Sequence, residues 1–246
     1  MKTKRKKRKL KKKYYIVRFV LIGIFCTSIY FIAMSSFFNI QILTVRDNAH
    51  YTEQQILTIG EIKKGGNLFK LSIKEIKDKL EADPYIKKAK ISRKLPGEII
   101  ISVGERSEKG ALPYGNDYIV IDEEGVVLRK TDREETALTL FVGMTLTSIE
   151  TGKRLEVEET PMLLDALELL QKMEEHDIYF KKVGFSNSIM RAYIYDGLVC
   201  EGSPENIIKG MDDLEDVLYD LYVQGVKRGT IKVGGNGYYS FSASVE

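Results

Sequence analysis

The sequence predicts an α+β protein with a single N-terminal transmembrane helix. A small strand-helix-helix-strand-strand domain follows, then a mixed, mainly antiparallel β domain carrying two helices. Three observations lead there. Residues 19–38, FVLIGIFCTSIYFIAMSSFF, form a run without charge; at ~1.5 Å per helical residue it spans ~30 Å, the thickness of a bilayer's hydrocarbon core. Residues 39–106 combine apolar stripes at helical spacing with period-two runs. Beyond them, β-patterned runs are interrupted by two long helical stripes. The expected organisation is a basic cytoplasmic tail (1–18), a transmembrane helix (19–38), a small domain (39–106) and a β-rich domain (107–246) with a hairpin at its C-terminal edge.

The flanks of the apolar run give it a direction, because Lys and Arg beside a crossing stay on the cytoplasmic side while acids have little influence. Residues 1–13 carry ten Lys or Arg and no acid, and Arg18 adds one more. The N-terminus is expected in the cytoplasm and everything after residue 38 outside. The rival is a cleaved secretory signal, whose apolar core is only ~7–15 residues long and is followed by a small-residue site. Ala33 and Ser35 loosely mimic such a site, but the core is too long. An uncleaved anchor is the expectation.

Splitting the charge at the crossing changes the meaning of the overall +3: the part beyond residue 38 holds 27 basic and 35 acidic residues, a net −8. A nucleic-acid-binding domain would show a basic face instead. The run MKTKRKKRKLKKK has the composition of a nucleic-acid or localisation patch. Directly before a crossing it serves as a topology signal that also favours anionic lipid. The lipid bilayer is therefore an expected partner and nucleic acid is not. Cys26 lies within the crossing and Cys200 far outside it, so no disulfide framework exists; beside Val199, Cys200 reads as a buried small apolar residue.

In chain order, Ile40, Ile42 and Val45 form a short extended run ending at the Asp47-Asn48 turn signal. Thr52 and Gln55 have capping-box spacing, and Ile56 and Ile59 lead to a stop at Gly60. Gly65, Gly66 and Asn67 break the chain. Ser72 with Glu75 then repeats the capping pattern before Ile73, Ile76 and Leu80, and Pro84 ends that helix. Ala89 and Ile91, then Ile99, Ile101 and Val103, alternate about a Leu95-Pro96-Gly97 turn as a hairpin. Two helices on one face of a three-stranded sheet bury both apolar surfaces.

Farther on, Tyr118 to Asp122 and Gly125 to Leu128 make a hairpin around Glu123-Glu124, and residues 139–143 make another strand. Thr160-Pro161 opens a helix whose apolar face is Leu163, Leu164, Leu167, Leu170 and Met173. Strands are expected over residues 178–185, 189–195 and 198–201, with Asp196-Gly197 as a tight turn. Ser203-Pro204-Glu205 opens the last helix, with the stripe Ile207, Met211, Leu214, Leu218 and Leu221, and Gly225 follows it. Residues 230–233, a Gly-rich turn at 234–237 and residues 238–245 make a final hairpin.

Several fragments carry a resemblance in their order and spacing: Val45-Arg46-Asp47-Asn48, Asn67-Leu68-Phe69, Pro84 to Ala89, Arg93-Lys94-Leu95-Pro96 and Val103-Gly104-Glu105-Arg106. Behind a basic tail and one crossing, this set resembles the POTRA domain of the FtsQ/DivIB bacterial cell-division proteins. The second domain is similar to that family at Tyr118 to Leu128, and Thr139-Leu140-Phe141-Val142-Gly143 stands where members often have a Leu-Pro pair. The resemblance implies a single-pass protein of the bacterial cell membrane, located at the division septum. It implies a non-enzymatic scaffold that links FtsL-like and DivIC/FtsB-like bitopic partners to septal penicillin-binding and glycan-polymerising proteins.

The residues themselves offer little chemistry. His50 and His176 are the only histidines and sit in polar, exposed-looking segments without a second ligand at metal spacing. No Ser-x-x-Lys, Gly-x-Ser-x-Gly or phosphate-loop pattern occurs. Acid pairs such as Asp122/Glu123 and Asp212/Asp213 read as solvated turn or helix-face charges, and Tyr193 and Tyr195 as sheet packing. No cofactor, metal or catalytic group is expected. The informative stretch is the final hairpin, since a closing strand exposes amides and carbonyls to strand addition. Thr230, Ile231, Lys232, Val233, Tyr238, Tyr239, Ser240 and Phe241 fall where the resemblance implies the docking surface for the bitopic partners. Two other functions fit a POTRA-bearing anchored chain: a polypeptide-binding chaperone or translocation receptor, and a wall hydrolase. The lack of following barrel-type strands counts against a barrel-assembly version of the former.

Overall fold

The computed structural model describes residues 3–186, 188–235 and 238–243, with side chains from residue 14 onward. The side chains of the basic run 1–13, the turn residues Asn236 and Gly237, and the end of the last expected strand lie outside the described residues. Two compact units divide the chain: Met1–Glu81 with Lys88–Glu105, and Ala82–Lys87 with Arg106–Glu246.

The first unit begins with one long helix, α1 (Thr3–Ala33), whose apolar window is Tyr14–Ala33. This window is long enough to cross a bilayer. It lies N-terminal to the 19–38 run because Tyr14 to Val17 extend the apolar stretch past the lone Arg18. It ends at Ala33, and Ser36–Phe38 form a single 3-10 turn. The Asn67 side-chain amide donates to the carbonyls of Ala33 (2.9 Å) and Ser35 (3.3 Å). Helix-end carbonyls need such partners.

The small sheet contains β1 (Ile42–Arg46), β2 (Ile86–Lys94) and β3 (Glu98–Glu105) in the order β1-β3-β2, with β1 parallel to β3. The helices α2 (Glu53–Ile59) and α3 (Ile73–Glu81) connect β1 to β2. The Thr52 capping box is complete, and the Ser72 hydroxyl accepts from the Glu75 amide at 3.3 Å. Val45, Ile56, Leu68, Ile76, Leu80, Ile99, Ile101 and Val103 are buried. At the end of β3, the Glu105 carboxylate accepts backbone N–H groups from Ala49, His50 and Tyr51, which holds the turn that follows β1.

The second unit is built on one nine-stranded sheet. Its strands are β4 (Gly110–Tyr114), β5 (Asp117–Ile121), β6 (Val127–Thr131), β7 (Thr139–Val142), β10 (Lys182–Ser186), β11 (Ile189–Tyr195), β12 (Gly197–Gly202), β13 (Arg228–Val233) and β14 (Tyr239–Ser242). A separate short pair is β8 (Leu146–Ser148) with β9 (Glu156–Val157). The order across the large sheet is β14-β13-β12-β11-β10-β7-β4-β5-β6. Three neighbouring pairs are parallel, β4/β7, β7/β10 and β12/β13, and the other pairs are antiparallel. The helices α4 (Thr160–Glu175), α5 (Pro204–Lys209) and α6 (Met211–Val223) bury Leu163, Leu169, Leu170, Ile207, Met211 and Leu214 in one core with the sheet. Cys200 is fully buried there, as its apolar neighbours predict, and burial pushes its thiol up to about 12.

Within the second unit's helices, strands and turns, three further expectations change. The last helix is two helices, α5 and α6, broken at Gly210. The strand expected from residue 178 begins at Lys182, because α4 closes with Asp177 in the left-handed region (φ 51) and Ile178 N–H donating back to the Met173 carbonyl. Asp122 is not a solvated turn charge: it is 2 % exposed, its Oδ1 accepts the N–H groups of Glu124 (2.9 Å) and Val126 (2.8 Å), and its Oδ2 pairs with Arg106. Arg106 also pairs with Glu124 at 2.6 Å; Arg106 first and Lys87 second hold the Glu124 carboxyl below its usual range.

Removing Asp122 leaves two turn amides without their acceptor and takes one of two carboxylates from the largely buried Arg106, which keeps only Glu124. Asp122→Ala is expected to lose about 3 kcal/mol, while Asp122→Asn, which keeps an acceptor at the turn, loses less. Denaturant unfolding of the detergent-solubilised chain measures both.

Candidate partner-binding edge

The final hairpin divides the sequence-predicted residues into two structural classes. Thr230, Ile231, Lys232 and Val233 belong to β13, which lies inside the sheet, parallel to β12 on one side and antiparallel to β14 on the other. Its backbone is used on both sides, so strand addition has no place there. The edge belongs to β14, which has no further neighbour among the described residues. Tyr239, Ser240 and Phe241 lie on it, and Tyr238 stands just before it, 69 % exposed.

Register decides which side chains face which way. Ile231 pairs with Phe241 and Val233 with Tyr239, and Ile231 and Val233 are buried, so Tyr239 and Phe241 share the helix-covered face. Lys232 with Ser240 and Thr230 with Ser242 share the opposite face. Gly234 N–H donates to the Tyr238 carbonyl at 2.8 Å. In an antiparallel pair, hydrogen-bonded and non-hydrogen-bonded positions alternate. From Tyr238 onward, that alternation turns the N–H and C=O of Tyr239 and Phe241 away from β13, toward the open side.

Two glycines hold β14 in place. The Tyr239 hydroxyl donates to the Gly210 carbonyl at 2.5 Å, at the break between α5 and α6, and a Cβ on Gly210 would stand 2.2 Å from that hydroxyl oxygen. The Phe241 ring lies over Gly229 of β13, where a Cβ would meet it at 2.4 Å; Gly229 is also in a positive-φ conformation (φ 143). Burial, the largest cause, raises the Tyr239 hydroxyl above its ordinary value, with Asp213 adding to it. The phenol stays a neutral donor.

The edge carries no charge along Tyr-Ser-Phe-Ser. By contrast β2, an outer strand of the small sheet, carries Lys87, Lys88, Lys90, Arg93 and Lys94. Charged edges discourage strand addition. The far end of the large sheet is engaged as well: Val127 N–H donates to the Lys153 carbonyl and Val127 accepts from Gly152 N–H.

Other sequence-marked residues are placed as follows. His50 is exposed, whereas His176 is mostly buried, with Asp212 at 3.4 Å and Glu215 at 3.5 Å. Among the described residues no group of three or more His, Cys, Asp or Glu is arranged to hold a metal ion. Tyr193 lies under the Lys182 ammonium at 6.0 Å. Tyr195 is not sheet packing: with Tyr179, Tyr219 and Tyr222 it lines a groove of about 300 Å³ beside α6. Two tyrosines three residues apart on α6, off the Leu214 and Leu221 stripe, are the sequence signal for that groove.

The described residues thus comprise one apolar helix of bilayer-spanning length, a small β-α-α-β-β domain and a larger sheet with an open strand at one end. Residues 38–106 match the family described as POTRA domain, FtsQ-type. The chain is 27% identical over 208 residues to the cell division protein DivIB of Clostridium acetobutylicum, covering 83% of each chain. With DivIB of Bacillus subtilis it shares 22% identity over 236 residues, 96% of this chain and 86% of that one. With the cell division protein FtsQ of Syntrophotalea carbinolica it shares 23% over 162 residues, 65% and 56% of the two chains. The chain thus carries an FtsQ-type POTRA domain and is related along most of its length to the DivIB/FtsQ cell-division proteins.

Tyr239→Phe removes one hydrogen bond and is expected to lose about 1 kcal/mol. Gly210→Ala forces the hydroxyl aside and is expected to lose more. Thermal melting of the solubilised chain orders the two.

Proposed function

We propose that this protein is a non-catalytic, membrane-anchored scaffold of the division complex. In this reading, tail 1–18 is cytoplasmic, the POTRA domain (39–106) and β-rich domain (107–246) lie outside, and the protein gathers at the septum. The outer edge of β14 receives an extended segment of a bitopic partner of the FtsL or DivIC/FtsB type. Through those partners the chain is linked to septal penicillin-binding and glycan-polymerising proteins. The single observation that carries the reading is the uncharged edge of β14, with the outward backbone groups of Tyr239 and Phe241. Main-chain hydrogen bonds supply affinity in such additions, and side chains alternating along the strand supply selectivity.

Anchoring makes modest contacts sufficient. Partners confined to the same membrane meet at high effective concentration, so a weak strand pairing still assembles a complex. The excess of positive charge before the crossing and of negative charge after it supports the proposed direction and favours basic patches on partners.

Two measurements test this. Depletion is expected to give elongated cells with blocked septa, and normal septation would refute the division scaffold. Phe241→Pro removes an outward N–H that β13 does not use, and is expected to weaken capture of the bitopic partner about tenfold, the equivalent of one good hydrogen bond. Phe241→Leu, which keeps the amide, is expected to retain binding; equal binding by both variants would exclude strand addition at β14.

A further inference from the structure

We propose that the helix-proximal end of the POTRA unit is a lipid-docking surface, seated in the headgroup layer of the bilayer that α1 crosses and selective for anionic phospholipid. The inference rests on reading α1 as a membrane span and concerns the first unit alone.

Three separate chain segments converge where α1 ends. The loop through Asn67 lies against the exit: besides the Asn67 amide on Ala33 and Ser35, Leu68 N–H donates to the Phe38 carbonyl, Ile40 N–H to Gly66, and Gly65 N–H to Ile40, each at 2.8 Å. Arg93 on β2 braces that loop, donating to the Leu68 carbonyl at 2.9 Å and the Leu71 carbonyl at 2.6 Å. The β2–β3 turn joins from the other side: Gln41 N–H donates to the Gly97 carbonyl at 2.8 Å, and the approach is so close that a Cβ on Gly97 would stand 2.4 Å from the Asn39 oxygen. No slack separates the helix from the domain.

The exposed side chains at this junction have interfacial chemistry. Outside α1, the large apolar residues this unit exposes among the described residues are Phe37 (65 %), Ile42 (53 %), Phe69 (41 %) and Leu95 (60 %). All four sit on the converging segments. Phe37, Phe38 and Phe69 stack edge to face, with ring centroids 5.1 and 5.2 Å apart. Lys63 and Lys64 immediately precede the loop of Gly65 to Asn67 and Lys70 follows Phe69; all three are exposed and without an ion pair among the described residues. Apolar side chains rimmed by lysines form the pattern of a surface that lies in the headgroup region, and lysines there favour anionic lipid. An exposed apolar patch calls for a cover; here the bilayer entered by the helix is already adjacent.

The chain contains no tryptophan, so single reporters can be placed without background. Ile24→Trp reports on the helix, Phe69→Trp on the docking surface and Tyr51→Trp on the turn that follows β1, past the far end of a strand ~16 Å long. The full chain is reconstituted into vesicles of phosphatidylglycerol or phosphatidylcholine carrying acyl-chain-brominated lipid, and quenching is read. The expected result is strong quenching at 24, clear quenching at 69 and none at 51. Joint replacement by Lys63→Glu, Lys64→Glu and Lys70→Glu is expected to reduce quenching at 69 in phosphatidylglycerol more than in phosphatidylcholine. Quenching at 24 with position 69 as dark to bromine as position 51 would overturn the docking surface and leave the anchor standing. Absence of quenching at 24 would remove both. Equal quenching at 69 in the two lipids, unchanged by the charge reversal, would overturn the selectivity for anionic lipid.

Discussion

The last carbonyls of the long apolar helix α1 are the constraint on which the first unit depends. A helix leaving lipid has backbone acceptors that lost their partners at its end and must find them at once. Asn67, more than thirty residues downstream, supplies one hydrogen bond to the last helical carbonyl, Ala33, and a second to Ser35 just beyond it. Placing Asn67 there fixes the loop around it, and that loop pairs with the chain just after the helix. The buried Leu68 then carries the arrangement into the sheet core. One side-chain amide thus joins the end of the apolar helix to the packing of the small domain.

The large sheet is governed by a different economy. Nine strands leave two ends, and each is treated differently: one is engaged by a loop at Val127, the other ends in β14 with nothing polar enough to repel a neighbour. Holding such an edge flat and in register needs anchoring from within. Tyr239 on the Gly210 carbonyl and Phe241 on Gly229 provide it on the covered face, leaving the outward amides free of any structural duty. Residues that look like binding groups in sequence are therefore partly the fixings of the surface they would present.

Much of this was legible from the chain. Capping boxes, Pro-Gly turns and period-two runs located most helices and strands, and the stripe of α4 marked its buried face. The failures share a physical reason, which is dependence on partners distant in sequence. Composition stays uncharged through Phe38, so hydropathy alone extends the crossing, whereas Asn67 helps end the helix at Ala33. The apolar stripe runs through Gly210 without interruption, while the backbone there leaves the helical range (φ −89, ψ 14) and the Tyr239 hydroxyl of β14 packs against it, a contact distant in sequence. Asp122 looked like a solvated turn residue because Arg106, which pairs with it, lies on another segment. Alternation marked the last hairpin correctly as strands, but strand order is a tertiary property. The sequence pattern of residues 230–233 contains nothing to say that β13 is sandwiched between two neighbours.

Cys200 has a consequence for durability. An accessible thiol is open to oxidants and to mixed disulfides with other proteins, both of which require the thiolate. With its thiol pushed to about 12 and its side chain fully buried in the core between sheet and helices, the ionised form is scarce at neutral pH and sterically out of reach. Burial thereby shields the thiol of β12, the strand beside the β13–β14 hairpin, from oxidation without any partner cysteine.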